Sequence, residues 1–430
     1  MSSISTAAPK QSGEPSTKRV RLDSLTGLRW YAALLVFCYH FFYEETTTGT
    51  AQHMDKLKQV VYDGPSAVSF FFILSGFVLA WSARPRDTVT GFWRRRFARI
   101  YPSHVATFCL AAVSIAWMGK VLDPGIALGN LGLIQSWIPN RTDWWFGYNG
   151  VSWSLSCEAL FYLAFPFIIK AVRRLSNRGL WATVIAGNAC VALLPLFTAP
   201  IGHATGWDAK FVVYILPPVR LIEFVIGIAV ALLVKNGAWR GPGLLASLSL
   251  SLIVIFGPVH VMPYNFHWAA DTVIPFTLTI AAAARADIKG EPSPFRNRYV
   301  VYLGEISFAL YLVHEIIIFS ADHFLKTHQL VIPVTLHLSL VLAMSVVAAV
   351  LLHEWVEKPG VKLLSGSRRK PPADRVPVGG DSSADGSEGS EGSDGSDGNA
   401  GALAFIPRQR SAPATPAPNV PDPTQPPSRS

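Results

Sequence analysis

Long apolar runs separated by short polar segments dominate the chain from residue 21 to about residue 365. A helix needs about 20 predominantly apolar residues to cross a bilayer, and runs near this length recur about ten times. We place the predicted spans at 25–44, 65–83, 99–119, 151–172, 179–199, 212–235, 241–258, 268–286, 301–324 and 332–354. A shorter apolar stretch at 125–138 is expected to lie at the interface or to re-enter the membrane. The pattern predicts an all-α bundle.

Both ends of the chain are polar. Residues 1–20 are rich in Ser, Thr, Pro and Lys, and residues 366–430 are rich in Gly, Ser, Pro and acidic residues. Such compositions bury too little apolar surface to form a core. We therefore expect a disordered tail on each side of a membrane domain at 21–365. The C-terminal tail is expected to be dispensable, with binding of a partner protein as the alternative.

Lysine and arginine alternate in density between successive connections. They are dense at 84–99, 170–178 and 358–370, and sparse in the loops that contain Lys120 and Lys210. Cytoplasmic loops carry an excess of basic residues. This asymmetry predicts an even number of spans with both termini in the cytoplasm.

Composition supports a multi-pass protein of the plasma membrane. Half of the residues are hydrophobic, only 15% are charged and mean hydropathy is +0.32, whereas soluble proteins are about a quarter charged. The net charge of +9 does not indicate nucleic-acid binding, because the cations lie at helix ends without an aromatic-basic module. The four cysteines show no CxxC spacing and the histidines no metal-ligand spacing, so we expect no metal.

The first span contains two ionisable residues, Arg29 and His40. Eleven residues are close to three helical turns, so both side chains lie on one helix face, about 16 Å apart along the axis. Ionisable residues inside a membrane are costly without partners and are candidates for function. A neutral imidazole is also the usual general base near neutral pH.

Four arginines occur in FWRRRFARIYP at the start of the third span. Arg96 and Arg99 are three residues apart, and Arg95 precedes them. One interpretation is a positive-inside stop signal, which keeps this end of the span in the cytoplasm. The other is a clamp for a phosphorylated donor, since guanidinium groups bind phosphate through paired donors. The two interpretations are compatible.

Glu158 lies within the fourth span in GVSWSLSCEALFYLAFP. A carboxylate there needs a cation or a hydrogen-bond donor, and the simplest partners are Arg29 and His40. A carboxylate that accepts from one imidazole nitrogen fixes the tautomer and makes the other nitrogen a better base. Unchanged activity and protein level in Glu158→Gln would contradict this hypothesis.

Two other spans contain polar residues. Arg220 and Glu223 are three residues apart, a spacing that favours an intrahelical ion pair. Ser75 and Gly76 are small residues within the second span, which usually let helices approach closely.

The ninth span contains Ser307, Tyr311 and His314 in ISFALYLVHE. We expect these residues either to line a substrate path or to be satisfied structural residues.

The order of these motifs resembles the acyltransferase-3 family of integral membrane acyltransferases. The resemblance covers nearly the whole membrane region. It is carried by Arg29 and His40, FFFILSGF, RRxxRIYP, WSLSCE followed by FY, RLIEF and LGEISFALYLVH. The absence of a further appended domain also resembles the actinobacterial members that acylate macrolide sugars or lactone hydroxyls. Cys157 departs from the aliphatic or small residue that the family more often has before the glutamate.

The resemblance implies transfer of an acyl group from cytoplasmic acyl-CoA, acetyl-CoA or another short-chain donor, to a hydroxyl of a carbohydrate or glycosylated metabolite. It makes Arg29 and His40 the essential pair, associates Arg96 and Arg99 with the donor, and adds Glu158. His40 is expected to act as the general base or to carry the acyl group itself. Arg29 is expected to hold donor phosphate, or else to stabilise developing charge.

Two other classes of protein remain as alternatives. A proton-coupled exporter also has many spans with buried charges, but the chain shows no internal repeat. A noncatalytic scaffold would leave the polar residues within the spans unexplained.

Overall fold

The computed structural model describes residues 20–44, 58–84, 87–257 and 262–365. The predicted tails at 1–20 and 366–430 lie outside the described residues, apart from Val20. Within the described ranges all regular secondary structure is helical, without a strand. The predicted all-α fold is therefore confirmed.

Ten long helices correspond one to one with the ten predicted spans. They are α1 Asp23–Glu44, α2 Ala67–Ser82, α3 Val89–Trp117, α4 Trp153–Val172, α5 Asn177–Leu193, α6 Pro217–Lys235, α7 Leu244–Phe256, α8 Val273–Lys289, α9 Arg298–Thr327 and α10 Val334–Leu352. The stretch predicted to be too short to cross forms a helix of eight residues, Pro124–Leu131. Among the described residues, eight helical segments are long and apolar enough to span a membrane. Helices α7 and α8, with 13 and 17 residues, are shorter.

Helix α8 nevertheless extends through the depth of the bundle. At its C-terminal end, Asp287 accepts a hydrogen bond of 2.6 Å from the hydroxyl of Ser24, at the start of α1. Just before its N-terminal end, Asp271 lies beside His267, which contacts Asp63 ahead of α2. Since α1 and α2 follow each other as successive spans, their starts lie at opposite ends of the bundle. A helix of this length is about 26 Å long, which suits a crossing element.

Helices α2 and α6 form the centre of the bundle and approach within backbone contact. A Cβ atom on Gly76 would lie 2.0 Å from the carbonyl oxygen of Phe224, and one on Gly227 would lie 1.9 Å from that of Ile73. The prediction that Gly76 permits close packing is therefore confirmed. Only glycine leaves room for this approach, which allows two membrane helices to gain extensive van der Waals contact.

Helices α1 and α9 form a second close pair. A Cβ atom on Gly304 would lie 1.8 Å from the carbonyl oxygen of Thr26, and about four turns further along α1, His40 meets His314. The two helices therefore run parallel. Parallel packing requires an odd number of crossings between them, as the predicted ten-span arrangement has.

The predicted ion pair of α6 is present. Arg220 and Glu223 are both 1% exposed and their charged groups are 3.1 Å apart. Arg220 also donates to the hydroxyl of Ser69 at 2.9 Å and lies over the rings of Phe72 and Tyr214. The pair thereby neutralises itself within the core and ties α6 to α2.

We expect Gly227→Ala to destabilise the protein strongly. Its methyl group would overlap the carbonyl oxygen of Ile73, and a backbone atom cannot move aside as a side chain can. Overpacking typically costs about 1–3 kcal/mol. Gly243→Ala is the matched control, since a Cβ atom there meets nothing within 4 Å. Thermal unfolding of the detergent-solubilised protein measures both. Equal midpoints for the two variants would contradict the close α2–α6 approach.

Candidate functional site

A cavity of about 870 Å³ lies between α2, α3, α4 and α9, with Arg29 of α1 on its wall. Eight cationic side chains line it, against two acidic ones, Asp87 and Glu158. The cations are Arg29, Arg84, Arg94, Arg95, Arg96, Arg99, Lys170 and Arg173. Most of them come from the connections predicted to be cytoplasmic, so the cavity faces that side in the predicted topology. Such an excess of positive charge suits a polyanionic ligand.

The three arginines predicted to bind a donor all line this cavity, but their guanidinium groups have different partners. Arg95 is paired with Asp87 at 3.0 Å near the rim. Arg96 lies over the Phe92 ring, with 5.8 Å from its guanidinium carbon to the ring centre. Its buried Nε has no hydrogen-bond partner among the described residues. Arg96 is therefore the arginine with the most obvious unused donor.

Arg99 is held by a carboxylate that the sequence analysis missed. Its guanidinium lies 2.8 Å from Oε1 of Glu357, a side chain with no exposed surface. The other oxygen of Glu357 accepts from Nδ1 of His353 at 3.0 Å. His353 and Glu357 begin and end one π-helical turn that follows α10. The second acidic residue of HEWVE, a motif directly after the last apolar run, was the available signal.

Glu158 lies on the cavity wall and not beside His40. It accepts a hydrogen bond of 3.0 Å from the hydroxyl of Tyr162, one turn further along α4. The nearby cations are Arg29, Arg96 and Arg99, which act on it through their charge. The predicted pairing of Glu158 with Arg29 is thus supported as a charge interaction. The alternative pairing with the His40 imidazole is wrong, because His40 lies about 16 Å further along α1 than Arg29.

His40 instead contacts a histidine of α9. Its Nδ1 lies 3.1 Å from Nε2 of His314 and 3.0 Å from the carbonyl oxygen of Val36. The two ring centres are 5.0 Å apart. His314, one of the residues predicted for a substrate path, is therefore the direct partner of the candidate general base.

The backbone fixes the protons of this pair. Nδ1 of His314 lies 2.9 Å from the carbonyl oxygen of Tyr311. A carbonyl only accepts, so this nitrogen carries the hydrogen and donates. In a neutral imidazole, Nε2 of His314 is then the acceptor, and Nδ1–H of His40 donates to it and to Val36. Nε2 of His40 is left as the unprotonated nitrogen, the form that a general base requires.

The other two predicted substrate-path residues line the cavity, and one of them, Tyr311, lies next to this pair. Ser307 and Tyr311 are buried on α9 and line the cavity. The Tyr311 ring centre is 6.0 Å from that of His314, and its hydroxyl donates to Ser154 at 2.9 Å. The hydroxyl of Ser307 donates to the backbone of its own helix. Tyr311 therefore separates the basic cavity from the histidines.

Glu315, next to His314, is a second acidic residue that sequence reasoning missed. Its buried carboxylate accepts from the backbone N–H of Val151 at 2.9 Å. It fills the space above Gly150, where a Cβ atom would lie 2.3 Å from a carboxylate oxygen. Carboxylates stabilise the N-terminal end of a helical segment. Glu315 thus ties α9 to the start of α4 and holds His314 in place.

An apolar groove of about 250 Å³ adjoins the cavity. It is bounded by Trp93, Arg96, Phe97, Ile100, Tyr101, Leu133, Leu155, Ala159, Tyr162 and Leu163. Four of these residues, Arg96, Ile100, Leu155 and Tyr162, also line the basic cavity. The site therefore combines a cationic wall, an apolar groove and a histidine pair.

Comparison with known proteins agrees with this chemistry. The acyltransferase domain model of Acyl_transf_3 matches residues 22–354. Acyltransferase MdmB of Streptomyces mycarofaciens is 42% identical over 381 residues, covering 82% of this chain and 95% of that protein. A Staphylococcus aureus (strain COL) protein named as an O-acetyltransferase is 24% identical over 393 residues, covering 83% of this chain and 61% of that protein. No solved structure matches the chain. The chain belongs to the acyltransferase-3 family and is an integral membrane O-acyltransferase.

Proposed function

We propose that the enzyme resides in the plasma membrane and transfers an acyl group from cytoplasmic acyl-CoA to a hydroxyl of a carbohydrate or glycosylated metabolite. The observation that carries this proposal is the proximity of a cationic cavity to a histidine pair. Tyr311 lines the cavity with its eight cations, and its ring centre lies 6.0 Å from that of His314, which contacts His40. The first part suits a phosphorylated donor, and the second suits activation of a hydroxyl.

The cationic wall supports a nucleotide-bearing donor. Coenzyme A carries several phosphate groups, and guanidinium groups bind phosphate with charge-assisted hydrogen bonds. Arg96 has a buried Nε without a partner, while Arg99 is positioned by Glu357. Arg29, about 16 Å from His40 along α1, lies too far from the base to stabilise charge there. We therefore assign Arg29 to the donor and not to the developing oxyanion.

The chemistry follows from the tautomer of His40. Its Nε2 takes the proton of the acceptor hydroxyl as the oxygen attacks the thioester carbonyl. The tetrahedral intermediate then collapses, the carbon–sulfur bond breaks, and the proton on His40 passes to the departing thiolate. His314 accepts from Nδ1–H of His40 throughout and so holds the ring in the required tautomer. In a catalytic triad, a carboxylate positions the histidine base in the same way.

The position of His40 on α1 suggests the side of the membrane from which the acceptor enters. His40 lies toward the end of α1 that the basic-residue asymmetry predicts to be outward, and Lys210 of a predicted outer loop acts on it through its charge. An acceptor that enters from the outer half and a donor that enters from the cytoplasm would meet there. A polysaccharide sugar and a macrolide are the two acceptor classes, and the similarity to a Streptomyces protein favours testing macrolides first.

We expect purified protein to transfer label from acetyl-CoA to a sugar or macrolide hydroxyl, and His40→Ala to lower the rate by at least about 100-fold, because general base catalysis contributes about 10²–10⁴-fold. His314→Phe should lower kcat less, with an unchanged KM for the donor. His328→Ala, at an exposed position, is the matched control. Mass spectrometry of the product measures transfer.

An active His40→Ala enzyme would contradict the assignment of the base. Transport of a macrolide across vesicles without acyl transfer would contradict the whole proposal. A burst of product thiol without acceptor would indicate an acyl-histidine in place of direct attack.

We expect Arg96→Gln to raise the KM for acetyl-CoA about 10-fold or more with little change in kcat, since a hydrogen bond to a charged group contributes about 1.5–3 kcal/mol. Arg178→Gln is the control, because Arg178 is exposed on the same predicted side and does not line the cavity. Steady-state kinetics at varied donor concentration separate the two parameters. An unchanged KM in Arg96→Gln would exclude Arg96 from the donor site.

The apolar groove is proposed to hold the acyl chain. It shares four wall residues with the basic cavity, so a donor bound there has an adjacent apolar space for its acyl end. Burial of each methylene group contributes about 0.8 kcal/mol. The small side chain of Ala159 on the groove wall keeps that space open.

We expect Ala159→Phe to fill the groove and lower transfer from butyryl-CoA relative to acetyl-CoA by about 10-fold, the effect of losing about two methylene contacts. Ala164→Phe, on the same helix but away from the groove, is the control. Competition between the two donors in one reaction gives the ratio directly. The same ratio in wild type and Ala159→Phe would show that the acyl chain lies elsewhere.

A further inference from the structure

Three ionisable side chains from distant parts of the sequence meet outside the proposed acyl-transfer site. Nδ1 of His267 lies 2.8 Å from Oδ1 of Asp63 and 2.9 Å from Oδ2 of Asp271. The three side chains are between 2% and 5% exposed. Their candidate ligand atoms all lie within 4.8 Å of one another. The cluster joins the segment before α2 to the segment before α8.

This cluster has more buried hydrogen-bond acceptors than donors. A single N–H on Nδ1 points at one carboxylate at most, and Asp63 Oδ1 has no hydrogen bond among the described residues. Asp271 Oδ1 is also buried and lacks a hydrogen-bond partner there. Two buried carboxylates with unused oxygens need a positive charge between them.

The other nitrogen of His267 indicates where that charge belongs. Nε2 lies 3.3 Å from the carbonyl oxygen of Met262. A protonated ring would donate from both nitrogens but would supply one positive charge against two carboxylates. In the neutral ring, Nε2–H donates to this carbonyl and Nδ1 presents its lone pair to both carboxylates. That arrangement is repulsive unless a cation lies between them. Histidine ligands of metals commonly donate their second N–H to a backbone carbonyl in this way.

We infer that Asp63, His267 and Asp271 bind a divalent transition-metal ion of the zinc type. Two carboxylates neutralise the double charge, and an imidazole nitrogen favours zinc-like ions over calcium or magnesium. Three protein ligands leave a further coordination position for water. The sequence analysis expected no metal because the histidines show no metal-ligand spacing, and the third ligand, Asp63, lies 204 positions before His267.

The position of the site indicates a structural role next to the acceptor end of the enzyme. Gly64, which follows Asp63, packs so closely on α1 that a Cβ atom would lie 2.3 Å from Cβ of Tyr39. Tyr39 precedes His40. A metal that joins the start of α2 to the segment before α8 therefore also fixes the backbone against which this part of α1 packs.

The test measures metal content and stability of the full chain, purified in detergent and loaded with ZnCl₂. We expect about one zinc per chain by mass spectrometry of the metal, and a lower unfolding temperature after chelation that added zinc restores. Asp271→Asn should retain less than about a tenth of the zinc, since it removes one of the ligands. Asp143→Asn, at an exposed acid, should bind zinc as the wild type does.

X-ray absorption of the zinc-loaded wild type provides a measurement that needs no variant to fold. Nitrogen and oxygen ligands with one imidazole would support the site. Sulfur ligands, a wild type without stoichiometric zinc, or Asp271→Asn with full zinc content would overturn it. These readouts do not involve acyl transfer, so the outcome is independent of the donor and acceptor proposed above.

Discussion

The parallel packing of α1 on α9 is the constraint on which the site depends. Backbone contact at Gly304 and Thr26 fixes the two helices at one end, and the His40–His314 contact aligns them about four turns further along α1. Between these points, α1 presents Arg29 and α9 presents Ser307 and Tyr311 to the same cavity. A larger side chain at residue 304 would separate the helices and with them the two histidines.

Several charged groups within the bundle are matched by a neighbour from another element or another turn. Arg220 is paired with Glu223, and Arg99 with Glu357. Glu315 accepts from the backbone of Val151 at the start of the fourth span. Removing one partner of such a pair leaves a charge in a low-dielectric environment, which is far more costly than losing the contact alone. These pairs therefore hold the helices in register while leaving Arg96 and His40 with available polar atoms.

The sequence predicted the elements well because each depends on local information. Apolar length placed all ten helices, and helical spacing put Arg29 and His40 on one face and joined Arg220 to Glu223. Contacts between distant segments were not predictable in this way. The Glu158–His40 hypothesis failed because hydropathy shows only that both are polar residues in apolar spans. It does not show at which depth in the membrane each side chain lies. His314 was singled out as polar, but only packing of α9 on α1 shows that it contacts His40.

The separation of the cations from the base has an electrostatic reason. A unit positive charge 4 Å from His40 would oppose its protonation by about 4 kcal/mol at an effective dielectric constant of 20, whereas at 16 Å the opposition is about 1 kcal/mol. Cationic side chains placed beside the proposed general base would thus suppress the proton transfer it needs. Placing Arg29 near one end of α1 and His40 near the other avoids this conflict. The arrangement suits the proposed acyl-CoA donor, whose anionic groups and reactive carbon are joined by a long arm.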